Sequence, residues 1–184
     1  MFKNQLSGYG IIAILLHWLS AALIIGLFGL GWWMVDLSYY SQWYQQAPHI
    51  HKSVGLILLL LTLLRLLWNM VNIKPAPLAQ HKKWQQLSAR WAQRSMYLIM
   101  LSIMFSGVLI STADGRSIWV FDWFELPAPK VLIADQAVVA GNIHQWLAYT
   151  LIGLVFIHTL AALKHHFFDK DQTLMRMLKL KNAK

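Results

Sequence analysis

The segment Gly141–Phe168, GNIHQWLAYTLIGLVFIHTLAALKHHFF, lies mostly within a run that has no charged residue from Gln136 to Leu163, yet it carries His144 and His158. That run is 28 residues long, more than the ~20 apolar residues that cross a hydrocarbon layer of roughly 30 Å. An α-helix rises about 1.5 Å and turns about 100° per residue. Fourteen residues separate the two histidines, which is a climb of ~21 Å and a rotation about 40° short of four turns. The two imidazoles therefore share one face of a membrane-crossing helix, one near each end.

The rest of the chain repeats the pattern. No Asp, Glu, Lys or Arg occurs from Asn4 to Val35 or from Ser95 to Ala113, and only Arg65 lies between Lys52 and Lys74. These runs predict four transmembrane helices, about 11–35, 50–71, 95–112 and 142–164. The fold class is then an all-α membrane protein, a four-helix bundle forming one domain over 1–184 with a basic tail at 165–184. The composition agrees, with 58% hydrophobic and 12% charged residues against about 25% charged in soluble domains. The first run has about twice the 7–15-residue apolar core of a signal peptide and no A-x-A-like site after it, so it reads as a span. The absence of Cys excludes disulfides, iron–sulfur ligation and covalent c-type haem.

Charge sets the expected orientation. The N-terminus, the 72–94 connection and the C-terminal end from Lys164 onward carry twelve Lys and Arg (among them Lys181 and Lys184) against Asp169 and Asp171. The other connections, 36–52 and 113–141, carry Lys52, Arg116 and Lys130 against Asp36, Asp114, Asp122, Glu125 and Asp135. Basic loops stay on the cytoplasmic side, which predicts both termini inside. The pI of 9.9 then follows from topology, and nucleic-acid binding need not be invoked. Most of the ten Trp read as aromatic belts at the two interfaces.

On this frame the histidines fall into two tiers. His17 on the first helix is level with His158 on the fourth, toward the inner side. His51 on the second is level with His144, toward the outer side. Arg65 is fourteen residues after His51, on the same face and at the inner level. A charge at that depth is costly and marks a functional partner. No span holds an acid, so a haem propionate is the expected partner for the guanidinium. Two facing His per level suit axial ligation of a haem between helices. Zinc or copper sites favour three or four ligands, with carboxylate or thiolate among them. Two non-covalent b-type haems are therefore expected, His17 and His158 on the inner iron and His51 and His144 on the outer.

The other histidines carry weaker signals. His49 is about 200° round the helix from His51 and serves only as a fallback ligand. His81 reads as solvated. His165 continues the face of His158 and suits either a hydrogen-bond donor to a quinone carbonyl or a plain basic anchor, while His166 points elsewhere. Gly26, Gly29, Gly107 and Gly153 fit close helix approach or room for a porphyrin.

These residues also match a family. LLHW (Leu15–Trp18), HKSVG (His51–Gly55) with Arg65, GRSIWVFDWFELP (Gly115–Pro127), the His144/His158 spacing and ALKHHFFDKDQTLMRM (Ala162–Met177) resemble the prokaryotic cytochrome b561 family, in the branch that includes superoxide oxidase. The resemblance runs over essentially the whole chain. It implies a diheme b protein of the bacterial inner membrane with the same four ligands. It further implies oxidation of superoxide to O2 at the periplasmic side, with electrons passing through two haems to ubiquinone and His165 near the quinone. Arg90 and Gln93 stand where members often carry His, outside the ligand set. The outer connections are net acidic, which is unhelpful for collecting an anion, although Lys52, Arg116 and Lys130 could steer it locally. Two other readings stay open. One is a non-catalytic cytochrome b subunit linking a partner dehydrogenase or hydrogenase to the quinone pool. The other is a haem-free structural or sensory bundle.

Overall fold

A computed structural model describes residues 2–179; Lys181 and Lys184 of the basic tail lie outside the described residues. The element order is α1 (Ile11–Met34), α2 (Gln46–Val71), α3 (Lys83–Ser111), β1 (Ile118–Val120), β2 (Phe124–Leu126), α4 (Gln136–Phe167) and the short α5 (Met175–Leu178). Helices α1 to α4 are each long and apolar enough to cross a membrane, and less than a fifth of each apolar window is buried. Exposed side chains such as Trp32, Leu60, Leu98 and Phe156 would be prohibitive in water and suit a lipid surface.

Two of the helices outrun their apolar cores. α3 begins at Lys83, twelve residues ahead of the expected start. The amphipathic stretch Lys83–Arg94 is continuous helix, because a helix closes its own backbone hydrogen bonds wherever the chain emerges from lipid. α4 likewise spans Gln136–Phe167.

Backbone contacts divide the chain into two compact units, each built from parts of all four long helices. The first comprises residues 1–21, 61–97 and 153–184. Here the buried Asn4 works as a clasp: its amide donates to the Ile73 carbonyl at 3.1 Å and its Oδ1 accepts from Gly10 N at 2.9 Å. A Cβ on Gly10 would collide with the Phe2 and Lys3 carbonyls, so only glycine fits. The C-terminal segment ties back through Trp18 Nε1 to the Met177 carbonyl (2.7 Å) and Arg176 to the Ala76 carbonyl (2.7 Å).

The second unit comprises residues 22–60 and 98–152. It contains a hairpin absent from the sequence reading, with Ile118 opposite Leu126, Trp119 opposite Glu125 and Val120 opposite Phe124. Its two central residues, Phe121 and Asp122, both have positive φ (44° and 59°), as a type I′ turn requires. The usual Asn-Gly signal is missing, which hid the turn. Ser53 of α2 compensates: it is fully buried, accepts from Phe121 N at 3.1 Å and donates to the Trp119 carbonyl at 3.4 Å. Buried Gln136 bonds both the Leu132 N–H and the Leu109 carbonyl.

Candidate haem sites and a His–Asp cluster

In the first unit, His17 of α1 faces His158 of α4, with ring centroids 6.3 Å apart and planes at 69°. In the second, His51 of α2 faces His144 of α4 at 6.2 Å and 63°. Among the described residues neither pair is hydrogen bonded ring to ring. Two imidazoles binding one metal from opposite sides need two bonds of about 2 Å plus roughly 1.1–1.2 Å from nitrogen to ring centre, about 6.3 Å in all. Both pairs are spaced so that they could hold one metal ion between them.

The His51–His144 pair has further support. His144 Nδ1 donates to the Ile103 carbonyl at 2.9 Å and stands 3.2 Å from Ser106 Oγ, which itself donates to Ile103 at 2.8 Å. A proton held on Nδ1 leaves the Nε2 lone pair free for a metal, the usual way in which a carbonyl fixes a ligating tautomer. His51 Nδ1 is buried with no hydrogen-bond partner, and such an orphan calls for a group that the polypeptide does not supply. A Cβ on Gly31 would lie 3.1 Å from His51 Cε1, and one on Gly107 would lie 3.3 Å from His144 Cε1. These two glycines make room for the ring positions. The sequence reading gives Gly107 to helix approach or a porphyrin, not to a histidine ring, and does not single out Gly31. Beside Gly26, Gly29 and Gly153 a Cβ would meet nothing within 4 Å, so close helix approach is not their role.

Arg65 lies beside the His17–His158 pair. Its Nη2 lies 2.8 Å from His17 Nδ1, and the guanidinium stands over the Tyr97 ring at 5.5 Å. Arginine has only donors, so His17 Nδ1 must accept.

The remaining candidates sort as follows. His49 packs edge-on against Phe121, apart from the His51 pair. His166 packs against Phe167. Arg116 is paired with Asp114 at 3.2 Å, both exposed, which removes much of its steering charge; Lys130 is exposed and Lys52 half-buried. His81 is not simply solvated: its Nε2 lies 2.8 Å from Asp171 Oδ2. His165 Nδ1 meets the same oxygen at 2.8 Å and Asp169 Oδ2 at 2.9 Å. Burial of Asp171 opposes its ionisation, but hydrogen bonds from Thr173 and His81, with the nearby His165, outweigh it and hold the carboxyl well below the usual carboxylate range. The only acids in a basic tail were a signal that charge counting passed over.

The prokaryotic cytochrome b561 family model matches residues 8–179. The chain belongs to the prokaryotic cytochrome b561 family. It is 46% identical to "Cytochrome b561 homolog 2" of Escherichia coli (strain K12), over 96% of this chain and 94% of the relative. It is 27% identical to "Probable superoxide oxidase CybB" of Yersinia pestis, over 95% and 98%, and 25% identical to "Cytochrome b561 homolog 1" of E. coli (strain K12), over 90% and 93%. This b561 protein is thus a multi-pass membrane electron-transfer protein of a family that binds b-type haem, and the residues above fit such a group.

Proposed function

We propose that the protein is a diheme superoxide:quinone oxidoreductase of the bacterial inner membrane, with both termini cytoplasmic. His17 and His158 would hold one b haem, and His51 and His144 the other. The observation that carries the reading is the pair of trans-ligand spacings, 6.3 and 6.2 Å. Bound haem supplies reversible one-electron storage. The residues supply the rest. If His17 with His158 and His51 with His144 held the two haems, small substrates would exchange electrons without binding iron.

The overall balance is two superoxide ions, one ubiquinone and two protons giving two O2 and one quinol. His165 is the candidate contact for the quinone; its Nδ1 lies 2.9 and 2.8 Å from Asp169 and Asp171 oxygens, which leaves Nε2 as the ring nitrogen available for a carbonyl. The similarity to a probable superoxide oxidase supports the donor.

Arg65 has a definite part in this reading. A neutral His17 whose Nδ1 accepts from Arg65 keeps its proton on Nε2, and a protonated nitrogen cannot bind iron. Ligation through Nε2 therefore requires Arg65 to leave the ring, and a propionate is the acceptor that would draw it away. Arg65→Ala is expected to lower the midpoint potential of one haem and leave the other unchanged, since a nearby positive charge favours the reduced state. A redox titration with both potentials unmoved would count against the propionate role.

The Arg116–Asp114 pair favours a second reading, the electron-carrying subunit of a partner dehydrogenase or hydrogenase. Pulsed superoxide separates the two. Purified protein with quinone should show fast haem reduction and quinol formation unaided; haems that stay oxidised until a partner enzyme is added would establish the carrier instead.

A further inference from the structure

We infer that His81, His165 and Asp171 form a binding site for a divalent transition-metal ion of the zinc type, separate from the haem ligands. Nδ1 of His165, Nε2 of His81 and a carboxylate oxygen of Asp171 all lie within 4.8 Å of one another. Both nitrogens converge on one oxygen, Asp171 Oδ2, at 2.8 Å each. The Asp171 side chain is 0% exposed and each His side chain 17%, so these ligand atoms are sheltered from water.

Hydrogen-bond accounting supplies an independent observation. His165 Nδ1 has carboxylate oxygens at 2.8 and 2.9 Å, yet it is buried with no hydrogen bond of acceptable direction. The distances are short, but neither oxygen is met at a hydrogen-bonding angle. A simple His–Asp–His clasp would have turned the ring to satisfy that atom. A cation lying between the ligands would use the His165 lone pair without its pointing at an oxygen, and would replace the hydrogen bond that His81 Nε2 makes to Asp171 Oδ2.

The backbone is arranged to the same end. Lys170 adopts a left-handed conformation (φ 49°) just after α4, and Asp171 N then bonds back to the His165 carbonyl at 3.0 Å. This turn carries Asp171 beneath the last turn of α4, against His81, which comes from the turn ahead of α3. Two neutral imidazoles and one carboxylate are a common set for zinc, with a fourth position taken by water. Asp169 is less available, since Lys164 Nζ holds both its oxygens at 2.8 and 2.6 Å. Bonds of ~2.0–2.2 Å in a tetrahedral site keep ligand atoms about 3.3–3.5 Å apart, so each nitrogen would withdraw from Asp171 by about half an ångström.

Zinc binding to the haem-loaded protein tests this, with zinc alone as probe. Equilibrium dialysis with elemental analysis is expected to find one tightly held Zn2+ per chain. Absorption at the zinc edge should show nitrogen and oxygen neighbours near ~2.0–2.1 Å with imidazole scattering. His81→Gln keeps a donor for Asp171 but removes the ligand, and should weaken binding at least about tenfold while haem content stays at the wild-type value. His165→Gln should do the same to zinc. Wild-type protein that retains no zinc, or zinc held equally by both variants, or a bound ion without imidazole neighbours, would each overturn the site and leave a hydrogen-bonded clasp. None of these outcomes bears on the superoxide reading.

Discussion

His51→Ala and His144→Ala are each expected to cut the haem-to-protein ratio from two to one, and so are His17→Ala and His158→Ala. Each ring faces one partner at 6.2–6.3 Å, and removing either leaves a single axial nitrogen in an apolar setting. Within a unit the two substitutions should act alike, and the double variant should be no worse than either single one. Across units they should add, so His17→Ala with His51→Ala leaves no haem. Pyridine haemochrome assay against protein mass measures the ratio, and redox titration shows which component has gone. A ratio of two in any single variant would refute the assignment. Loss of both haems from one substitution would mean that the units do not bind independently.

Gly31→Val is expected to have nearly as large an effect through a residue that touches no metal. Its Cβ alone would stand 3.1 Å from His51 Cε1, tighter than ordinary contact, and the branched methyls add bulk that a helix backbone cannot yield to. Overpacking of this kind costs about 1–3 kcal/mol, here concentrated on the orientation of one ligand. The variant should lose most of the haem held by His51 and His144 and keep the one held by His17 and His158. Gly31→Ala should retain more. Gly26→Val, where an added Cβ meets nothing within 4 Å, is the matched control. Equal haem loss in the Gly26 and Gly31 variants would show that helix propensity or crowding of the porphyrin, not contact with His51, was responsible.

These two predictions draw on different sources. The four histidines could be paired before any coordinates, because rise per residue is constant and the apolar runs set where each helix enters and leaves lipid. Depth along a helix is a local property. Gly31 could not be found that way. Whether a glycine touches a ring depends on how two helices rotate against each other, and GLGWW reads equally well as lipid-facing. The same limit explains Arg65. Its depth was legible from its distance to His51, but its observed partner, His17 Nδ1 at 2.8 Å, follows from a long side chain choosing among acceptors in space. The hairpin Ile118–Leu126 escaped notice because Phe121 and Asp122 take positive φ without a glycine, held there by a serine 68 positions away.

Uncharged length, loop charge and imidazole spacing sufficed by themselves for four spans, an expected orientation and two facing His pairs, since hydrocarbon thickness and helical rise translate sequence distance directly into depth. Only the folded chain could decide azimuth and long-range contact: which glycines clear the rings, which carbonyl fixes the His144 proton, and that His81 and Asp171, 90 residues apart, meet at His165. Those depend on packing between segments, for which separation along the chain carries no ruler.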